Sequence, residues 1–209
     1  DGTLIDSAPD LAAAANELRA VHGLEPLALE QLRPMVGSGA RGMVGVAFGL
    51  KPGEAGYEPL RVAFLELYVR RMLTLTRVFE AVHPVLDVLD EQGIRWGVVT
   101  NKAMSMAQPI TESLGLAARA AVVIGGDSTP HTKPHPAPLL EAARRIGAEP
   151  ARCVYVGDDA RDVQAGRAAG MATIAAAWGY LGLGEPVHAW GADHVSQAPA
   201  GVLQWLRMP

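Results

Sequence analysis

Four short clusters combine acids, a hydroxyl, amides and lysines. They are Asp1-Gly2-Thr3-Leu4, Val98-Val99-Thr100-Asn101-Lys102, Lys133-Pro134 and Val156-Gly157-Asp158-Asp159, with Asp162 four residues beyond Asp158. A phosphomonoester dianion needs a cation to balance its charge, lysine, hydroxyl or amide donors for its oxygens, and carboxylates to hold a metal. The clusters supply these parts. Adjacent acids at a strand end, such as Asp158 and Asp159, can share a hard cation such as Mg²⁺. Each cluster alone also has a plainer reading: a threonine ending a strand, a solvated lysine, or acids favouring a helix start.

The elements around these clusters alternate. Short β-type runs at Ile94 to Val99, Ala121 to Ile124, Cys153 to Val156 and Ala172 to Ala176, with a weaker one at His194 and Val195, read as buried strands. Helix-length stretches lie between them: Met104 to Leu114, Ala137 to Ile146 and Ala160 to Ala169. Gly115, Gly147 and Gly170 follow where C-terminal caps belong. This βαβ rhythm predicts an α/β fold with a doubly wound parallel sheet, whose ligands sit at the carboxyl ends of the strands.

The first 80 residues differ, with helical patterning and no clear strand between Asp10 and Glu80. Ser7-Ala8-Pro9-Asp10 opens a helix with a capping residue, a first-turn proline and an acid that complements the macrodipole. Further helices are expected from about Leu29 to Val36, Arg41 to Phe48 and Tyr57 to Met72, the last with Leu60, Phe64, Leu67 and Tyr68 on one face. Val82 to Glu91 reads as the returning helix. The chain therefore divides into a core of 1–9 and 81–209 and an inserted, all-helical cap of 10–80.

Composition narrows the class. Of the 209 residues 49% are hydrophobic and 19% charged, as in a packed globular protein. The net charge of −4 comes with no basic tract, which speaks against nucleic acid. No apolar run approaches the length of a membrane span, and no secretory signal is expected. The single cysteine, Cys153, excludes a disulfide within the chain and suits a reducing, cytoplasmic setting. It is expected as a buried core residue without a role.

Weaker candidates remain. His131 and His135 have the spacing of a helical metal pair, but Pro134 and Pro136 forbid that helix. Gly37-Ser38-Gly39-Ala40-Arg41 looks like a phosphate-cradling loop yet lacks the Lys-Ser/Thr of a P-loop. In a cap it could close over the sheet edge, with Ser38 and Arg41 touching substrate. Arg70-Arg71 and Arg144-Arg145 read as solvated helix faces.

Taken in order, the four clusters resemble the haloacid dehalogenase superfamily of aspartate-based phosphotransferases, over essentially the whole chain. The resemblance implies that Asp1 matches the second aspartate of the motif Asp-x-Asp-Gly-Thr. That aspartate protonates the leaving oxygen and later activates water, while its backbone carbonyl reaches the metal. The attacking aspartate would lie two residues before Asp1, on a hydrophobic strand, so the chain is expected to be incomplete at its N-terminus. By the same resemblance Gly2, Thr100 and the Asn101 amide bind phosphate. Lys133 pairs with phosphate and the nucleophile, and Asp158 ligates Mg²⁺. Asp159 and Asp162 act through water or orient Lys133.

An aspartate at position 1 points to phosphoryl rather than halide chemistry. Among phosphatases the chain is most similar to phosphoglycolate phosphatases. Trp96 to Lys102 and Trp190-Gly191-Ala192-Asp193 also look like N-acetylmuramic acid 6-phosphate phosphatases, and a sugar phosphomutase shares the architecture. In another class stand a phosphate-binding module without turnover and a signalling receiver domain. The receiver is disfavoured because its acidic pair comes early, whereas here the pair follows Thr100 and Lys133.

Overall fold

The computed structural model describes residues 1–206. Its α/β half is built from parallel strands. β3 (Gly97–Val99) pairs with β4 (Val122–Ile124), Gly97 opposite Val122. β5 (Val154–Gly157), β6 (Ala172–Ala176) and β7 (His194–Ser196) form a second parallel ladder, with Tyr155 opposite Thr173 and Ala175 opposite Val195. The crossovers carry α6 (Met104–Ser113), α7 (Ala137–Ile146) and α8 (Ala160–Ala168), close to the sequence expectation. Gly147 ends α7 in the left-handed region, φ 64°, where a Cβ would be strained.

The expected single parallel sheet is present as two ladders. The facing edges of β3 and β5 have no strand partner among the described residues. Val98, Val99, Val154, Val156, Leu139 and Met171 line part of a cavity of about 1100 Å³ that extends from these edges to Ser38, Tyr68 and Trp178. The strands beside it are accordingly less buried than expected: all three β3 residues and Val154 to Val156 keep some exposure. Cys153 precedes β5 rather than lying in it, and is only half-buried.

The helical half holds α1 (Ala8–Val21), α2 (Leu29–Leu32), α3 (Gly39–Phe48) and α4 (Tyr57–Arg71). Phe64 and Tyr68 of α4, Leu11 and Leu18 of α1, and Met43 and Val44 of α3 form its core. Each such large buried side chain contributes about 2 kcal/mol by area. Alanines 14 and 15 are fully buried and let α1 approach its neighbours closely. The helix expected from Leu29 to Val36 is shorter, because after Leu32 the chain tightens into a 3₁₀ segment, Arg33–Ser38. Pro34, which has no N–H to donate, lies in its first turn.

Two strands escaped the sequence reading. β1 (Ile5–Asp6) and β2 (Arg77–Val78) pair antiparallel, Ile5 opposite Val78, as a ribbon carrying the chain into and out of the helical half. The chain then returns through α5 (His83–Glu91), and α9 (Ala200–Trp205) packs against α5. Ser7 is the N-cap of α1, but its hydroxyl makes no cap. The free N–H of Ala8 is met instead by Asp6 Oδ1 at 3.2 Å and the Tyr180 hydroxyl at 3.1 Å. Asp10, the expected first-turn acid complementing the helix dipole, is fully buried. Its Oδ2 accepts from the amides of Leu75 and Thr76 and from the Thr76 hydroxyl, at 2.8 to 2.9 Å. The start of α1 is thereby tied to the approach to β2.

Candidate active site

Asp158 emerges where β5 ends, and glycines leave it room. A Cβ on Gly2, whose φ is +74°, would stand 1.9 Å from Asp158 Oδ2, and one on Gly179 2.2 Å from the Asp158 Cβ. Thr3 Oγ1 donates to Oδ1 at 2.7 Å and the Tyr180 amide to Oδ2 at 3.0 Å. Trp178 Nε1 holds the Thr3 carbonyl at 3.0 Å. Burial raises the Asp158 carboxyl above the ordinary range. The Asp-Gly-Thr segment and the end of β5 therefore meet, as the sequence expected. Thr3 stood within its cluster without an assigned part.

Lys133 reaches into the same place from the loop before α7. Its Nζ lies 2.7 Å from Asp162 Oδ1, 2.7 Å from the Tyr155 hydroxyl and 3.0 Å from the Val99 carbonyl. Burial works against its charge, but Tyr155 and Asp162 outweigh it and hold the ammonium above the usual lysine range. The loop is pinned by Asn101, whose side-chain amide donates to the Lys133 carbonyl and accepts from the Lys133 amide, both at 2.9 Å. Thr100 extends the β3–β4 ladder through its amide to the Ile124 carbonyl, and its Oγ1 accepts from the Lys102 amide at 3.1 Å.

The two acids after Asp158 have different surroundings. Asp162 pairs with Lys133. Asp159 caps α8, accepting from the Arg161 amide at 2.9 Å, and pairs with the Arg161 guanidinium at 2.7 Å. Burial raises its pKa, yet Arg161 outweighs that and holds it below the usual range. Arg161, which the sequence did not single out, also donates to the Gly37 carbonyl at 2.6 Å, joining α8 to the loop before α3. Ser38 in that loop lines the cavity with Asp1, Thr100, Lys133 and Asp158. Arg41 is exposed and not among the lining residues, so only one of the two candidates from the helical half faces the site.

Asp1 shares a buried polar group that the sequence reading missed. Ser7 Oγ donates to Asp1 Oδ1 at 2.5 Å, and Lys102 Nζ lies 3.3 Å from the same oxygen. Lys102 also donates to the Tyr68 hydroxyl of α4 at 2.5 Å, with its ammonium 4.4 Å from the centre of that ring. Burial pushes the Lys102 pKa down to about 7, and the field of Asp10 opposes it. The signal for Lys102 was its place directly after Thr100-Asn101; nothing in the sequence pointed to Tyr68 as its partner.

The donors near Asp158 are hard oxygens. No three His, Cys, Asp or Glu come together as a metal cluster among the described residues. The set is therefore one buried carboxylate beside the backbone of Asp1, which suits Mg²⁺, a cation that takes one or two carboxylates and fills its shell with water and substrate phosphate. His131 and His135 do approach, with ring centres 4.2 Å apart, but no third ligand joins them among the described residues.

The profile of haloacid dehalogenase-like hydrolases matches residues 1–176. A phosphoglycolate phosphatase of Xanthomonas campestris pv. campestris is 47% identical over 200 residues, covering 95% of this chain and 90% of the relative. An N-acetylmuramic acid 6-phosphate phosphatase of Pseudomonas aeruginosa is 41% identical over 207 residues, covering 99% and 91%. Among solved structures, one described as a predicted phosphoglycolate phosphatase from Haemophilus somnus superposes with a TM-score of 0.85 at 28% identity, covering 99% of this chain and 94% of the other. Fold, site and relatives agree: the chain belongs to the haloacid dehalogenase-like hydrolases.

Proposed function

We propose that the protein is a Mg²⁺-dependent phosphatase that hydrolyses a small phosphomonoester through an aspartyl-phosphate, most like phosphoglycolate phosphatase. The observation that carries this reading is the convergence of Asp1, Thr100, Lys133 and Asp158 on one cavity, with Lys133 held charged against Asp162.

The reading calls for an attacking aspartate two residues before Asp1. The apolar slot between β3 and β5, with an unpaired edge on each side, supports a strand there. In the first step the carboxylate of that aspartate bonds to phosphorus, the ester P–O bond breaks, and Asp1 gives its proton to the leaving oxygen. In the second, water attacks phosphorus, Asp1 takes the water's proton, and the acyl-phosphate P–O bond breaks to restore the carboxylate. The Thr100 hydroxyl, the Asn101 amide and Lys133 serve the phosphoryl oxygens, whereas the Gly2 amide, expected to join them, donates to the Ile5 carbonyl at 2.8 Å. Asp158 and the Asp1 carbonyl would hold Mg²⁺, which when bound supplies charge for the equatorial oxygens.

In this reading 10–80 is the cap over a core of 1–9 and 81–209, the substrate is a small molecule, and the enzyme works in the cytoplasm. Among the described residues no helix is long and apolar enough to cross a membrane. A second substrate, N-acetylmuramic acid 6-phosphate, is favoured by the relative of that name covering 99% of the chain.

Intact mass and N-terminal sequencing of the purified full chain, followed by phosphate release from both substrates, tests the proposal. An upstream aspartate with faster release from phosphoglycolate supports it. Faster release from the amino sugar moves the substrate. Transfer between sugar hydroxyls without free phosphate marks a mutase, and ligand binding without turnover marks a binding module.

A further inference from the structure

We propose that Lys102 determines substrate specificity, receiving a carboxylate borne on the carbon next to the ester oxygen, and that Tyr68 is its positioning residue. The proposal rests on the phosphatase reading above and deepens it.

A proton donor must stand at the leaving oxygen, so in that reading Asp1 marks where the ester oxygen lies. Lys102 Nζ is 3.3 Å from Asp1 Oδ1. The first substituent on the ester carbon therefore comes within reach of an ammonium. Lys133 has a different part in that reading, at the phosphoryl oxygens, and its Nζ is held there beside Asp162, Tyr155 and the Val99 carbonyl. Lys102 Nζ has two oxygen neighbours, the Tyr68 hydroxyl and Asp1 Oδ1, for three N–H bonds. Its side chain is 10% exposed, and it lines the same cavity as Thr100 and Lys133. A lysine ammonium is a compact, strongly hydrated charge, and taking it out of water is costly unless an anion comes with it.

Tyr68 fixes where the charge sits. Its hydroxyl accepts from Nζ at 2.5 Å, and it is itself almost wholly buried in the core of the helical half. The helical half thus sets the position of a cation whose backbone belongs to the sheet half. In phosphoglycolate the carboxyl carbon is bonded directly to the ester carbon. In N-acetylmuramic acid 6-phosphate the carboxylate belongs to a lactyl ether across the sugar ring, too far from the ester oxygen to meet a group beside Asp1. The geometry selects the first chemistry.

The test compares 2-phosphoglycolate with ethyl phosphate, which has the same two-carbon skeleton and no carboxylate, on the full chain with Mg²⁺. Loss of one charge-assisted contact predicts that K102M lowers kcat/KM for phosphoglycolate roughly tenfold or more beyond any fall with ethyl phosphate. K102R restores part of that preference, and Y68F, which keeps the charge, narrows it by a smaller factor. Equal losses on both esters in K102M overturn the proposal, as does a wild-type enzyme with no preference between them. Thermal melting of each variant separates these outcomes from misfolding. If the wild type releases phosphate from neither ester, the phosphoglycolate phosphatase reading falls on its own. Calorimetric titration with the same two compounds then decides Lys102: weaker binding of phosphoglycolate alone in K102M and Y68F supports it, and parallel weakening overturns it.

Discussion

Lys133 Nζ lies 2.7 Å from Asp162 Oδ1, with side-chain exposures of 11% and 9%, although the two residues are carried by separate segments before α7 and within α8. Breaking such a buried pair from one side leaves an uncompensated charge, at a cost of about 3–5 kcal/mol. The variant D162A should lose stability at the lower end of that range, since Tyr155 and the Val99 carbonyl still meet the ammonium. Urea unfolding reads this directly, and an unchanged midpoint would contradict the pairing.

Gly2 is required for Asp158 to occupy its place. An alanine there would put its Cβ 1.9 Å from Asp158 Oδ2 at a φ of +74°. The carboxylate must move, and a misplacement of about 1 Å at a reacting centre costs roughly 100-fold in rate. Phosphate release by G2A is expected to fall by about that factor. A G2A protein as active as the parent would show that Asp158 is not held where the activity needs it.

The Tyr180 hydroxyl joins the sheet half to the ribbon entering the helical half. It donates to Asp6 Oδ1 at 2.9 Å and accepts from the amides of Ser7 and Ala8 at 2.9 and 3.1 Å, while Arg33 grips both Asp6 oxygens at 3.0 Å. Removing it in Y180F deprives the buried Ser7 amide of its acceptor, which costs about 1–3 kcal/mol. The melting temperature of Y180F should drop accordingly, and a difference within error of the parent would refute this role.

Away from the site, Glu141 on α7 is bracketed by Arg144 and Arg145, whose hydrogen bonds lower its pKa to about 2. A carboxyl depressed in the folded state contributes stability that is complete above the unfolded pKa of 4.5 and is lost as pH falls through about 2. Carbon NMR titration should find its midpoint well below the ordinary glutamate range. A midpoint near 4.5 would mean that these surface pairs do not persist in solution.

Much of the α/β half was legible because its signals are local. Ala137–Ile146 occupies the expected span, and Gly147 stops it for the expected reason. The ribbon β1–β2 was not legible, since two residues per strand cannot show a period of two. Asp10 was placed correctly in the first turn of α1, but its donors, Leu75 and Thr76, were not foreseen, because they are 65 and 66 residues away. The same holds at the site. Thr100 and Asp158 were visible as residue types at strand ends, and Lys133 beside Pro134 in the stretch before α7. The split of roles between Asp159, which caps α8 and serves Arg161, and Asp162, which lies inside the helix and serves Lys133, depends on where α8 starts and which face it turns inward. Tyr68, a core residue by its helical spacing, gains its second role only where α4 meets Lys102.

The measurement nearest the central claim is phosphate release from 2-phosphoglycolate, with Mg²⁺ and the full chain, by the parent protein and by D1N. Asp1 is assigned the proton at the leaving oxygen, and a positioned acid–base group is worth about 100- to 10,000-fold. The account predicts steady release by the parent and a fall of that size in kcat for D1N, with substrate binding retained. Release by D1N at the parental rate, or no release by the parent from any phosphomonoester, would contradict it.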